Sequence, residues 1–408
     1  MKPIFHPYLV NKSHGDPVLY IDFLFDRRAI LFDLGDISTV SPKKLLRITD
    51  IFISHTHMDH FFGFDLLLRI LLGRDKHIRI FGPPGILENV SGKLRGYTWN
   101  LVENYENNLT FEVTEVHDEY LLKNTFSCKE GFRPSSPHPE RVPAGECLLD
   151  TLTFQVKSAC LDHFTPCLAF CLQEKSHLNV NKVKLQEMGF PVGPWLKELK
   201  EAIRAEKPDD TLLTVPLDEK DAGRVGRSGV STGKSKGMGT GSGDINTGKS
   251  KDMSTSMSGG VSTGKGRGVS TSMSEGVSTG KSGDMSTGIS GDTSRDRKEP
   301  LSRLKSIVDV SRGQKIVYVV DSAYTDSNRE KALALAQGGD YFFCEAAFLE
   351  EDRDRAAQRS HLTAHQAGLL ARDAKVKKLI TFHFSPRYHG SYHLLVEEAM
   401  RTFRGTCT

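Results

Sequence analysis

Four side chains of metal-ligand type fall within six residues at His55-Thr56-His57-Met58-Asp59-His60. Imidazole nitrogen and carboxylate oxygen are the donors that zinc and its borderline neighbours prefer. At ordinary composition such a pattern arises by chance in about one chain in a thousand. In a tight turn, His55 and His57 can face one ion while Asp59 and His60 reach a second. Two divalent ions about 3.5–4 Å apart make a hydrolytic device, because a water shared between them loses a proton near neutral pH. The bland alternative is a solvated polar loop with incidental histidines.

A second ion needs ligands from elsewhere. His163, Asp321 and His383 each stand just after a predicted strand. Taken singly, each reads as a turn or capping residue. Taken with the cluster, they bring the set to five histidines and two aspartates, enough for two ions with Asp321 between them.

The elements that must position these residues are legible as apolar runs. Leu19–Phe25 and Ala29–Asp33 read as paired strands, and Asp50–Ser54 as a buried strand running into the histidine cluster. Phe61–Leu72 carries a helical apolar period. Ile78–Phe81, Leu109–Val113, Leu152–Ser158 and Leu168–Leu172 read as further strands. Beyond residue 300, Lys315–Val320, Tyr341–Cys344 and Lys378–Phe382 are predicted strands ending at Asp321, Glu345 and His383. Asn328–Gln337, His361–Ala374 and Tyr392–Phe403 are predicted helices. The alternation predicts a layered α/β fold with two sheets inside and helices outside.

Two segments break this pattern. Approximately 174–206 holds short helical stretches around Gly189-Phe190-Pro191-Val192-Gly193-Pro194-Trp195, and an exposed Trp195 among lysines predicts a projecting arm. Residues 222–299 are low in complexity: Val-Ser-Thr-Gly-Lys recurs at 230, 261 and 277, and Gly223–Lys298 contains no aromatic residue and no leucine. Such a sequence cannot bury enough apolar surface to offset its chain entropy, so the expectation is a disordered insertion. It divides the domain into a first half, 1–221, and a second half, 300–408.

The whole chain of 408 residues has a net charge of only +3, so any polyanion site must be a local patch. Its 7 cysteines show no zinc-ribbon spacing, and reduced thiols are expected. The N-terminus lacks the apolar core of a signal peptide, and no apolar run is long enough to span a bilayer. These features predict a soluble cytoplasmic protein without a membrane partner.

On these residues the sequence resembles the metallo-β-lactamase superfamily, and within it the ribonuclease Z family, endonucleases that trim the 3′ end of precursor tRNA. Asp33, in Leu31-Phe32-Asp33-Leu34-Gly35-Asp36, matches the superfamily's first motif, an Asp that buttresses the metal loop. Ser54–His60 matches the second, His163 the third, Asp321 the fourth and His383 the fifth. His361-Leu362-Thr363-Ala364 and His383-Phe384-Ser385-Pro386-Arg387-Tyr388 are similar to two further ribonuclease Z motifs. Met188–Leu199 resembles its tRNA-gripping arm. Glu345 stands in Cys344-Glu345-Ala346-Ala347, where the family carries His-Glu-Ala-Thr, and Val320-Asp321-Ser322 stands where it carries Gly-Asp-Thr.

The resemblance implies a four-layer αββα sandwich binding two zinc ions per subunit. His55, His57 and His163 would bind one ion, Asp59, His60 and His383 the other, with Asp321 bridging. Asp59 would also orient the nucleophile. His361 would be the general acid, with Glu345 fixing its tautomer. Ser385 and Arg387 would hold phosphate oxygens, and Lys197 and Lys200 would meet the tRNA from the arm. A homodimer is implied as well. The competing expectation is another dinuclear-zinc hydrolase of this fold, acting on a small phosphodiester, sulfate ester, thioester or lactam.

Overall fold

Aromatic and branched side chains from two β-sheets meet face to face and form the central core of the molecule. The structure, a computed structural model, describes residues 4–24, 26–216 and 296–405. The first sheet has eight strands in chain order: Phe5–Leu9, Leu19–Phe23, Ala29–Phe32, Ile48–Phe52, Lys76–Gly82, Leu109–Val116, Tyr120–Ser127 and Glu140–Pro143. The second has six, in the order Leu379–Phe382, Tyr341–Glu345, Lys315–Val319, Pro166–Glu174, Phe154–Asp162 and Leu149–Asp150.

Strand periodicity decides what each face meets. Leu19, Ile21 and Phe23 point into the inter-sheet core while Tyr20 points outward. On the next strand Ile30 and Phe32 face in and Ala29 and Leu31 face out. Both faces are covered, so these strands read as continuous apolar runs rather than alternating ones. Phe32 stacks on Phe170 of the opposite sheet at 5.3 Å between ring centroids.

Outside the first sheet lie helices Phe64–Leu71 and Ile86–Arg95, which bury Phe64, Leu67, Leu71, Val90 and Leu94. Outside the second lie Asp326–Ala336, Ala364–Asp373 and Tyr392–Arg404. The last two approach so closely that a Cβ on Gly368 would stand 2.5 Å from the Ala399 carbonyl oxygen. The result is the expected four-layer αββα sandwich.

Three expectations need correction. The second sheet begins at Leu149, well before the insertion, and strand Pro166–Glu174 pairs antiparallel with Lys315–Val319 from beyond it. The insertion therefore does not separate two halves of the fold. The expected disordered segment 222–299 lies outside the described residues except for its last four, which begin strand Asp296–Pro300.

Trp195 is not exposed. Only 5% of its surface is accessible, and its indole Nε1 donates to the Pro191 carbonyl at 2.9 Å. It packs with Leu178, Leu185, Phe190, Leu199, Leu301, Leu304 and Ile307 in an apolar cluster separate from the other three. The arm thus has a core of its own, built from both sides of the insertion. A two-stranded ribbon, Ser176–Val180 with Val308–Arg312, belongs to the same module.

The predicted helix His361–Ala374 starts late, at Ala364. Thr363 caps it, and the Gln366 side chain returns a bond to the Thr363 N–H. His361 is thereby left on a loop before the helix, next to Ser360 at φ +55.

Candidate metal centre

The histidine cluster is anchored from behind by Asp33. This buried carboxylate closes strand Ala29–Phe32 at φ +58, with its N–H bonded to the Phe52 carbonyl at 2.9 Å. Its Oδ1 accepts from Ser54 N–H at 2.7 Å. Its Oδ2 accepts from Ser54 Oγ at 2.9 Å, from Tyr318 Oη at 2.7 Å and from His60 Nδ1 at 2.8 Å. Four donors thus share this one carboxylate, three of them on Oδ2. They also fix the His60 tautomer, leaving Nε2 to face the cluster.

The remaining members arrive from strand ends. Asp321 and His383 follow strands Lys315–Val319 and Leu379–Phe382 with φ of +47 and +60. His163 follows Phe154–Asp162, and its Nδ1 donates to the Ser360 carbonyl at 2.7 Å. Asn328 holds two of these ends together. Its amide donates to the carbonyls of Asp162 at 3.0 Å and Ala323 at 2.9 Å, and its Oδ1 accepts from Asp162 N–H at 3.0 Å.

The sequence-predicted ligands converge in groups. His55, His57 and His163 each offer a nitrogen, all within 4.8 Å of one another, and Asp59, His60 and His383 do the same with a carboxylate oxygen and two nitrogens. Asp321 touches both groups: its Oδ2 lies 3.3 Å from His55 Nε2 and 2.8 Å from His60 Nε2, and its Oδ1 lies 3.0 Å from His383 Nδ1. Yet His60 Nε2, Asp321 Oδ1 and His383 Nδ1 are buried and make no hydrogen bond of proper geometry. Orphaned buried polar atoms are costly and rare. Several converging on one space is the arrangement expected of donors aimed at cations, and the nitrogen and carboxylate set suits zinc.

Electrostatics agree. Burial pushes His55 down to about 2, with the His60 imidazolium adding to the effect. Burial would raise Asp321, but His383 and His60 outweigh it and hold the carboxyl well below the usual carboxylate range. Burial would lower His60 and His383 too, but for His60 the carboxylates of Asp33 and Asp321, and for His383 chiefly Asp321, raise them instead. Without metal, the carboxylates favour the protonated form of these two rings, so a cation held there would have to displace protons.

His361 stands beside the aspartate common to both groups. Its Nδ1 lies 2.9 Å from Glu345 Oε2 and 3.1 Å from Asp321 Oδ1. Burial lowers its pKa, but Glu345 and Asp321 raise it further, to about 9. Glu345 is fully buried and also accepts from the N–H groups of Ser322 and Leu362 at 2.7 and 3.2 Å, so it cannot swing away.

The expected substrate contacts have partners within the protein. Arg387 Nη1 pairs with Asp352 Oδ1 at 2.8 Å, and Ser385 Oγ accepts from the Arg387 N–H at 3.5 Å. Lys197 and Lys200 lie on helix Trp195–Arg204 in the separate module. Lys197 pairs with Glu201 at 3.8 Å, and burial lowers the Lys200 ammonium, with Arg204 adding to it. Three contributors escaped the sequence reading: Tyr318, Asn328 and the Ser360 carbonyl. Asp16 is a fourth. It lies across Gly35 from the Asp59 backbone, where a Cβ would meet both, and its carboxyl is raised first by burial and then by Asp59 and Asp36.

No family model matches the chain. Among curated proteins it is similar to the ribonuclease Z of Deinococcus radiodurans, 31% identical over 175 residues, covering 42% of this chain and 52% of that one. That match spans about half the length of its relative. The ribonuclease Z of Treponema pallidum matches at 23% identity over 384 residues, covering 92% of this chain and 84% of that one. Among solved structures, human tRNase Z, short form, has a TM-score of 0.42 at 15% identity, covering 94% of this chain and 92% of that one. The resemblance to ribonuclease Z read from the motifs therefore extends over most of the chain.

Proposed function

We propose that this chain is a zinc-dependent endoribonuclease that removes 3′ trailers from precursor tRNA. The observation that carries the reading is His361 held by buried Glu345 beside Asp321, at the edge of a donor cluster with unpartnered atoms. Similarity to ribonucleases Z over most of the length supports the substrate.

In this reading His55, His57 and His163 would hold one ion and Asp59, His60 and His383 the other, with Asp321 shared between the two groups. Zinc held there would supply Lewis acidity, which lowers the pKa of water and offsets phosphate charge. Asp59, less buried than its neighbours, orients the attacking water. His361 gives its proton to the departing 3′ oxygen, a contribution of about 10²–10⁴-fold. Glu345 keeps the ring aligned and stabilises its charged form. Arg387 meets phosphate oxygens after releasing Asp352, and its planar fork suits them. Ser385 assists. Lys197 and Lys200 contact the tRNA backbone, which is read by shape rather than base sequence.

A homodimer and a cytoplasmic location go with this reading. Among the described residues no helix is long and apolar enough to cross a membrane. The reading is tested by incubating the zinc-loaded protein with precursor tRNA carrying a 3′ trailer, with and without chelator. Chelator-sensitive release of the trailer is expected. An intact trailer alongside turnover of a small phosphodiester would favour the second reading, a small-ester hydrolase of the same fold. Cys344 and Ala347, which replace the family's His and Thr around Glu345, are the observation that keeps that alternative in play.

A further inference from the structure

Phe164 is costly where it stands and gains nothing visible from the fold. It occupies the turn between strands Phe154–Asp162 and Pro166–Glu174, where His163 N–H donates to the Thr165 carbonyl at 3.1 Å. Its φ is +56, a region that bulky L-residues avoid and that glycine or asparagine normally fills in tight turns. Its ring is 78% exposed, so burial does not compensate. Backbone outliers of this kind persist where a site requires them.

Its position says which site. The preceding residue is His163, buried, with its ring 5.3 Å from His55 and 5.5 Å from His57 between centroids. The residue after His57 is Met58, whose side chain is 79% exposed. Two large apolar side chains thus stand exposed, one next to His163 and the other between His57 and Asp59. Near the other group the neighbouring carboxylate is Asp16, which senses the charges of Asp59, His60 and His383.

A phosphodiester presented to such a centre brings two kinds of surface, a charged sugar–phosphate path and flat nucleobases. Aromatic rings stack on bases of any sequence, and methionine sulfur packs well against π faces. We propose that Phe164, with Met58 exposed on the neighbouring histidine loop, is the stacking platform for the nucleobase adjoining the scissile phosphate, which fixes the direction in which the RNA crosses the centre. This inference rests on the ribonuclease reading above and adds a positioning residue to it.

The test is a cycle of two substitutions, one in the protein and one in the RNA. Cleavage of precursor tRNA by zinc-loaded wild type and Phe164→Ala is compared on intact substrate and on substrates abasic at the nucleotide either 5′ or 3′ of the cut. We expect a loss of about 10- to 100-fold in kcat/KM on intact RNA, appearing in KM, that disappears when one of the two abasic substrates is used. A Phe164→Trp variant should restore cleavage. Phe164→Gly should lose cleavage while its melting temperature holds or rises, because glycine accepts the positive φ. An equal loss on intact and both abasic substrates, no loss at all, or a lowered melting temperature in Phe164→Gly would overturn the platform. Wild-type protein that leaves precursor tRNA intact overturns the ribonuclease reading and the platform together. Failure confined to the variants overturns the platform alone.

Discussion

Replacing Tyr318 by Phe isolates one bond on which the metal loop depends. The ring stays packed between Phe32 and Phe382, at 5.7 and 5.1 Å, so the inter-sheet core is preserved. Only the hydroxyl that donates to Asp33 Oδ2 at 2.7 Å is lost. Asp33 is fully buried, and its charge is held by four donors. A hydrogen bond to a charged group contributes about 1.5–3 kcal/mol. The metal-free protein should therefore lose about 2 kcal/mol, or roughly 4 °C in melting temperature. Because Oδ2 also orients His60, zinc affinity should fall about tenfold or more, as for other partners of metal ligands. Melting with chelator and zinc competition against a chromophoric chelator measure the two effects separately. Tyr20→Phe is the control: its hydroxyl donates to the neutral Lys44 carbonyl at 3.0 Å, so about 1 kcal/mol and no change in zinc affinity are expected. Unchanged melting and zinc affinity in Tyr318→Phe would show that Asp33 does not act through this network.

Asp59→Ala should abolish hydrolysis of precursor tRNA, read as no cleavage above background by gel. His361→Ala should slow single-turnover cleavage by about 10²–10⁴-fold while zinc content by elemental analysis stays at the wild-type level; lost zinc would make His361 a ligand instead. Asp50→Asn should destabilise by about 3–5 kcal/mol in denaturant melts, because buried Asp50 pairs with Arg28 at 2.6 Å and Arg79 at 2.5 Å and both guanidiniums would lose their counter-charge. Deleting 222–295 should shift melting by less than about 1 kcal/mol, since long-loop closure depends only weakly on length. The flanks already meet through Leu301 N–H to Thr211 O at 2.8 Å and Ser302 N–H to Asp209 O at 2.9 Å. A deletion that also removes Asp296–Pro300 should be worse, because those residues form a strand.

The positions converging on the centre were legible because each follows an apolar run, and strand ends on one edge of a sandwich converge. The sandwich itself was legible from the same runs. Asp33 and Glu345 were legible from their motifs, but Tyr318 and Asn328 were not. Nothing in the run Lys315–Val320 marks Tyr318 as different from a core aromatic, because its partner lies 285 residues away. Trp195 was misread for the same reason: Leu301, Leu304 and Ile307, which cover it, come from beyond the insertion. The helix start after His361 was a different failure. Thr363 with Gln366 is a capping-box pattern, visible in the sequence, and it outranked the apolar period that carried the reading back to His361.

The pairing of Pro166–Glu174 with Lys315–Val319 also sets a timetable for synthesis. The first sheet is contiguous in sequence and can form while the ribosome is still translating. The second waits for a partner strand from beyond the insertion, and such non-local pairing is the slow part of folding. His55, His57, Asp59, His60 and His163 emerge early, whereas Asp321 and His383 emerge late. A nascent chain therefore carries most of the donors but not the aspartate that joins them. The full donor set is withheld until His383 has emerged, so a chain truncated before Asp321 should bind metal more weakly than the full chain.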